Sequence, residues 1–288
     1  MTDVPHPTTV ADVHGLGGDL PVRRLGYGAM RITGSGVWGE PPDPDGAKAL
    51  LRRVLELGVN LIDTADSYGP EVSELLIADA LHPYPTDLVI ATKGGLLRDG
   101  PHQWRADCNP SHLRAACEAS LRRLRLERID LYQLHTVDTQ VPIEESVGVL
   151  VELQEAGLVR HIGVCNVSVD ELARARGVAD VVSVQNRYNL ADRGSDDVVD
   201  ACEGEGLAFL PWYPLADGEL AAPGGRLDQI AQAHGATVAQ VALAWLLARS
   251  STMIPIPGTG SIEHFEENMG AARLDLTPDD LAALADRE

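Results

Sequence analysis

Lysine is almost missing from this chain: of 23 basic residues only Lys48 and Lys93 are lysine, and the rest are arginine. Positive charge is also outnumbered, because 43 acidic residues leave a formal charge of −20. That balance argues against a nucleic-acid backbone or an acidic membrane surface as partner. Aromatic residues are only 4% of the chain. The four cysteines, Cys108, Cys117, Cys165 and Cys202, form neither a CxxC pair nor a zinc-spaced cluster with histidine. Reduced thiols in a reducing compartment fit this usage better than a disulfide framework, and no metal site is expected. No apolar run approaches the roughly 18 residues that would suggest a membrane span. The segment Met1–Leu20 is polar and Gly-rich, unlike a secretory signal. A cytoplasmic protein with neither nucleic acid nor membrane as partner is expected.

What the sequence does have is a recurring short apolar run bounded by Gly, Pro or Asp. Eight such runs occur: Leu25–Arg31, Leu61–Ala65, Leu88–Lys93, Asp130–His135, His161–Asn166, Val181–Asn186, Leu207–Trp212 and Met253–Gly258. Helical spacing fills the gaps, as in Ala47–Leu57, Pro110–Leu126, Ile143–Ala156 and Val238–Ala248. Helix starts are marked by the capping boxes Ser168–Glu171 and Thr237–Gln240 and by Thr277-Pro278. The runs are continuous rather than alternating, as strands buried on both faces are. Eight β-then-α units predict an α/β fold, a single-domain (β/α)8 TIM barrel over residues 1–288, with residues 1–22 as an N-terminal extension. An open nucleotide-binding sheet is disfavoured, because Leu25–Arg31 supplies only Gly26 and Gly28 of a GxGxxG turn.

Chemistry in a barrel belongs at the C-terminal strand ends and the loops beyond them. Polar residues fall there in sequence: Asp63, Tyr68, Lys93, His135, Asn166 and Gln185, with Trp212 ending the seventh run and Trp38 and Trp104 on loops of the same face. A tyrosine has an ordinary pKa of about 10, and a lysine within about 4–6 Å lowers it. Asp63 would orient Lys93, His135 would position a substrate oxygen, and Tyr68 would be a tunable acid suited to protonating a carbonyl oxygen as hydride arrives at carbon. Hydride must come from a nicotinamide. Asn166 and Gln185 suit hydrogen bonds to a carboxamide, and Trp212 offers a flat face for stacking.

These motifs resemble the aldo-keto reductases, from Leu25-Gly-Tyr-Gly28 to Glu266-Glu-Asn268. The segment Gly58–Gly69 with Glu74 is similar to the family's Asp/Tyr signature, and Ala91-Thr-Lys93 and Asp130–His135 to its lysine and histidine motifs. Gly163-Val-Cys-Asn166 is similar to its Ser-Asn motif and Val184–Asn189 to its Gln motif, while Trp212-Tyr-Pro-Leu215 stands where the family has Tyr-Ser-Pro-Leu. The resemblance implies Tyr68 as proton donor, NADPH as hydride source in preference to NADH, and small carbonyl or alcohol substrates. It favours a monomer. Cofactor contacts are implied at Gly28, Met30, Arg31, Asp63, Asn166, Gln185, Trp212, Tyr213, Pro214, Leu215, Gly258, Thr259, Ser261, His264, Glu267 and Asn268.

Departures lie mainly in the cofactor half. Cys165 replaces a serine, and Pro255–His264 looks like the adenosine-phosphate loop without its common Lys-Ser pair. His264 stands where an arginine often clamps the 2′-phosphate. Arg31 and the start of the helix near Ile262 are candidates for holding the pyrophosphate. Only one short helix follows Leu274–Asp280, so an open pocket is expected, with Trp38, Trp104 and the loop 94–109 setting substrate choice. The same resemblance carries an alternative, a cofactor-binding regulatory subunit such as the potassium-channel β-subunits, with little turnover. A metal-dependent barrel hydrolase lacks its HxH pair, and Schiff-base chemistry at Lys93 has no support from the neighbouring Tyr68.

Overall fold

The strand at Val89–Gly94 has all six residues buried, and so do the five of Val181–Gln185; such strands have no solvent face and need cover on both sides. The fold supplies it in a closed arrangement, seen in a computed structural model that describes residues 13–216 and 224–285. The described chain begins with an antiparallel hairpin of β1 (Val13–Leu16) and β2 (Leu20–Arg23). The parallel strands follow: β3 (Tyr27–Gly28), β4 (Leu61–Asp63) and β5 (Val89–Gly94). A second hairpin, β6 (Leu96–Gly100) with β7 (Gln103–Ala106), stands over the barrel mouth. The parallel series resumes with β8 (Ile129–Leu134), β9 (Val159–Cys165), β10 (Val181–Gln185) and β11 (Ala208–Phe209). These seven strands make one sheet in the order β3-β4-β5-β8-β9-β10-β11, with helices between them as in a (β/α)8 barrel.

The eighth expected strand, Met253–Gly258, closes the sheet without forming a regular ladder. Ile254 N donates to Phe209 O (2.8 Å) on one side, while Gly26 N and Gly28 N donate to Pro255 O (2.9 Å) and Pro257 O (3.4 Å) on the other. Pro255 and Pro257 have no N–H to return, so the closure is one-sided. The outer expected strands are also shorter than their apolar runs. After Gly28 the chain winds into a 3-10 turn, Ala29–Ile32, and Trp212 keeps only an isolated bridge to Arg187.

Helix starts follow their local signals. Asp43 caps the helix Pro44–Glu56 by accepting from Gly46 N, and both capping boxes form, at the helices Val169–Arg176 and Val238–Arg249. Among the described residues no single helix is long and apolar enough to cross a membrane.

Of the extension expected over 1–22, residues 13–22 lie in or between the strands of the first hairpin, and 1–12 fall outside the described residues. Leu16, Leu20 and Val22 of that hairpin join Leu61, Val89, Leu131, Val182 and Ile254 in one buried cluster inside the barrel. The hairpin thus stoppers the end where the strands begin and leaves the other end for chemistry. Buried Asn60 fastens it: Asn60 Oδ1 accepts from Arg23 N (2.9 Å), and Nδ2 donates to Pro21 O (2.8 Å) and Asp87 O (3.2 Å). Asn60→Ala would orphan these backbone groups and is expected to cost about 2–3 kcal/mol, read as a lower urea midpoint with an unchanged m-value.

Candidate active site

Asp63 ends β4 and Lys93 sits one residue from the end of β5, so two opposite charges meet inside the barrel. Lys93 Nζ donates to Asp63 Oδ2 at 2.5 Å, to Thr64 O at 2.8 Å and to Tyr68 OH at 3.3 Å. An ammonium has three protons, and each has an acceptor. Asp63 Oδ1 in turn accepts from Gln185 Nε2 (2.8 Å) and Gln133 Nε2 (3.2 Å). The side chains of Lys93 and Asp63 are 0% and 3% exposed; a pair so buried is tolerable because all three ammonium protons have acceptors and both carboxylate oxygens have donors.

Tyr68 is held beside this pair, with Lys93 Nζ 5.0 Å from its ring centroid. Proximity to Lys93 suggested a phenol pKa below the ordinary value, but burial outweighs the cation and pushes it up to about 12. Tyr68 is therefore a protonated phenol at neutral pH. Burial by itself would lower the Lys93 ammonium, yet Asp63 and Tyr68 hold it above the ordinary lysine value. His135, just past β8, packs edge-on to Tyr68 with centroids 5.8 Å apart. Burial first, and the Lys93 charge second, drive its pKa well below the histidine range, so the imidazole is neutral. Ser67 Oγ lies 3.3 Å from Nδ1, leaving Nε2 as the nitrogen for another partner.

A second chain of contacts crosses the mouth. Asn166 adopts a left-handed conformation (φ 57°) that asparagine tolerates. Its Nδ2 donates to His135 O (3.0 Å), and its Oδ1 accepts from Trp212 Nε1 (2.9 Å). The two amides expected to face a carboxamide are thus already engaged, Gln185 with Asp63 and Asn166 with Trp212. Each amide still has an unused hydrogen-bonding position.

These groups surround a cavity of about 490 Å³. Of the expected residues, it is lined by Gly28, Met30, Arg31, Asp63, Tyr68, Trp104, His135, Asn166, Gln185, Trp212, Tyr213, Pro214, Leu215 and Gly258. Lys93 stands behind the lining, fully buried. Trp38 does not line it; the residue is 38% exposed and its ring packs against Arg98. Thr259, Ser261, His264, Glu267 and Asn268 also lie outside the lining and continue from Gly258 into the helix Ile262–Met269. Ser261 Oγ already accepts from His264 N at 3.3 Å, so one N–H expected for an anion is taken. The lining also takes Leu96 and His102 from the loop 94–109 and Ile256 and Pro257 from the stretch Pro255–His264, and it adds Val37 and Ala216, which the sequence does not single out. Sequence reading also missed Ser67 and Gln133; a glutamine inside the apolar strand Ile129–Leu134 was the available signal for the latter.

The residues fit a nicotinamide cofactor. A flat indole, two amides with unused capacity, and a neutral imidazole beside a protonated phenol meet at one cavity. The model of the Aldo/keto reductase family matches residues 24–287. The chain belongs to the aldo/keto reductase family. It is 48% identical to an uncharacterized oxidoreductase of Schizosaccharomyces pombe, over 93% of this chain and 87% of the relative. It is 44% identical to pyridoxine 4-dehydrogenase of Escherichia coli, over 93% and 95%. Among solved structures it resembles glycerol dehydrogenase of Gluconobacter oxydans (TM-score 0.85, 28% identity, covering 96% and 95%). It also resembles an aldo-keto reductase of Klebsiella pneumoniae in complex with NADPH (TM-score 0.82, 27% identity, covering 96% and 94%). As a member of this family the protein is an NAD(P)H-dependent oxidoreductase.

Two residues before Tyr68 stands an acid with a different fate. Asp66 is only partly buried as a residue, but its Oδ1 is shut off from solvent with no hydrogen-bond partner, and desolvation together with Glu74 raises its pKa to about 8. Glu74 itself is paired, with Thr92 Oγ1 and Arg123 Nε each donating at 2.6 Å. Unfolded, Asp66 would release its proton near pH 4. Between that value and about 8 the folded state keeps a proton that the unfolded chain loses, so stability falls as pH rises through the window. Asp66→Asn is expected to remove that decline. Urea unfolding across the window checks it, and parallel profiles for the two proteins would contradict the assignment.

Proposed function

We propose that this chain is a single-domain NADPH-dependent reductase of aldehydes and ketones, reversible toward the alcohols. The observation that carries the reading is the placement of a protonated Tyr68 between Lys93 and the cavity, with neutral His135 at its edge. The bound nicotinamide supplies hydride to the carbonyl carbon. Tyr68 OH gives its proton to the carbonyl oxygen, and His135 Nε2 holds that oxygen in line. Lys93 keeps the phenolate left on Tyr68 electrostatically tolerable, and Asp63 keeps Lys93 charged and fixed. In alcohol oxidation the same groups run in reverse, with Tyr68 as the base.

On the cofactor side, Trp212 provides the stacking face, and Asn166 and Gln185 use their remaining positions on the carboxamide. Arg31, Thr259, Ser261, His264, Glu267 and Asn268 serve the phosphate and adenosine end, with NADPH preferred over NADH. Four reduced cysteines, each buried, support a cytoplasmic setting.

For the substrate we infer a planar aromatic or heteroaromatic aldehyde and its arylmethyl alcohol. Tyr68, His102, Trp104 and Tyr213 give the cavity an aromatic lining. The relative at 44% identity is named for oxidising an alcohol borne on a pyridine ring.

The test is a calorimetric titration with NADPH and NADH, followed by addition of 4-nitrobenzaldehyde or a pyridine carbaldehyde. Tight NADPH binding followed by loss of nicotinamide absorbance is expected. Binding without turnover across a carbonyl panel would instead favour the regulatory-subunit reading. Tyr68→Phe is expected to keep NADPH affinity and to lose about 100-fold or more in kcat; near-normal turnover in that variant would remove Tyr68 as the acid.

A further inference from the structure

Arg98, on β6, is the buried cation that the proposed reaction does not use. It is 8% exposed, and burial alone lowers its pKa; no carboxylate among the described residues offsets this. Its guanidinium instead gathers backbone carbonyls from three separate segments. Nη1 donates to Val37 O (2.6 Å) and Ser67 O (3.4 Å), Nη2 to Gly36 O (2.7 Å) and Gly100 O (3.2 Å), and Nε to Gln103 O (3.2 Å). The same group lies 3.7 Å from the Trp104 ring centroid and 5.9 Å from that of Trp38. Trp104 meets His135 edge-on, with centroids 6.5 Å apart.

Two cavity-lining residues in this assembly have backbones that need holding. Val37 has φ 55° and His102 has φ 58°. A β-branched side chain at positive φ is an outlier that survives only where its surroundings impose it. Val37 O is an acceptor of Arg98, and His102 N donates to Gly36 O (3.2 Å), the carbonyl next to it. One guanidinium therefore ties the loop after β3, the Tyr68 loop and the β6–β7 hairpin together while backing an indole that lines the cavity.

We propose that Arg98 is a positioning residue that builds the aromatic wall of the substrate cavity, and that this wall selects planar aryl aldehydes over small aliphatic ones. The proposal rests on reading the cavity as a carbonyl-reductase site. Lysine cannot replace arginine here, because a compact ammonium offers three donors and no flat face to stack on indole.

The test compares wild type with Arg98→Met and Arg98→Lys. For each protein, KM and kcat are measured with 4-nitrobenzaldehyde and with propanal, and backbone hydrogen exchange is followed over residues 34–38 and 96–106. Both variants are expected to lower the aryl-to-propanal ratio of kcat/KM by about 10-fold or more, mainly through KM for the aryl aldehyde. Exchange in the two segments should rise while that of the barrel strands stays as in wild type. An unchanged ratio, full rescue by Arg98→Lys, or unchanged exchange would overturn the proposal. A wild-type protein that reduces neither aldehyde would overturn the reductase reading and the selection with it. In that case the exchange measurement still decides whether Arg98 holds the wall.

Discussion

A lysine ammonium with no exposed surface, facing a carboxylate 2.5 Å away, is the constraint on which this site depends. Taking two charges out of water costs several kcal/mol per ion unless their remaining hydrogen-bonding capacity is used. The barrel meets that demand by bringing strand ends far apart in sequence to one point. β4 supplies Asp63, β5 supplies Lys93, and β8 and β10 supply the amides of Gln133 and Gln185. The third ammonium proton falls to Tyr68 OH. The phenol is thereby placed by the same interaction that makes the pair tolerable, and burial leaves it a proton to donate at neutral pH.

The opposite side of the mouth is organised by neutral groups. The indole N–H of Trp212 fixes Asn166, and Asn166 fixes the backbone of His135. The tyrosine that the family commonly carries in place of Trp212 has no N–H at that position of its ring. The substitution therefore couples the indole, the amide and the histidine segment in this chain. Arg187, 5.7 Å from the Trp212 ring and 4.8 Å from that of Tyr213, braces the same assembly from outside.

Much of this was legible in the sequence because barrels put chemistry at strand ends, and strand ends are visible as the last residues of apolar runs. Lys93, His135 and Asn166 close their runs, and Asp63 and Gln185 lie within two residues of the end of theirs. The misreadings have physical causes. The hydrophobicity of Met253–Gly258 predicts an ordinary strand, although Pro255 and Pro257 deny it a two-sided ladder. The effect of Lys93 on Tyr68 was inferred from proximity alone; the opposing desolvation depends on a fold the local sequence does not display. The loop position of Trp38 points to the cavity, but its ring turns to Arg98. Arg98 itself was invisible, since three of its five acceptors lie 31 to 62 residues away. Arginine on a loop carries no signal of its own in a chain where nearly every cation is arginine.

The most direct measurement of the central claim is a spectroscopic pH titration of the Tyr68 phenol, taken as the phenolate absorbance of wild type minus that of Tyr68→Phe. With Tyr68 pushed up to about 12, no phenolate from this residue should form through about pH 10, where an ordinary tyrosine is half ionised. Ionisation of Tyr68 at or below that ordinary value would mean that the Lys93 charge outweighs burial, and would contradict the account of Tyr68 as a stably protonated donor.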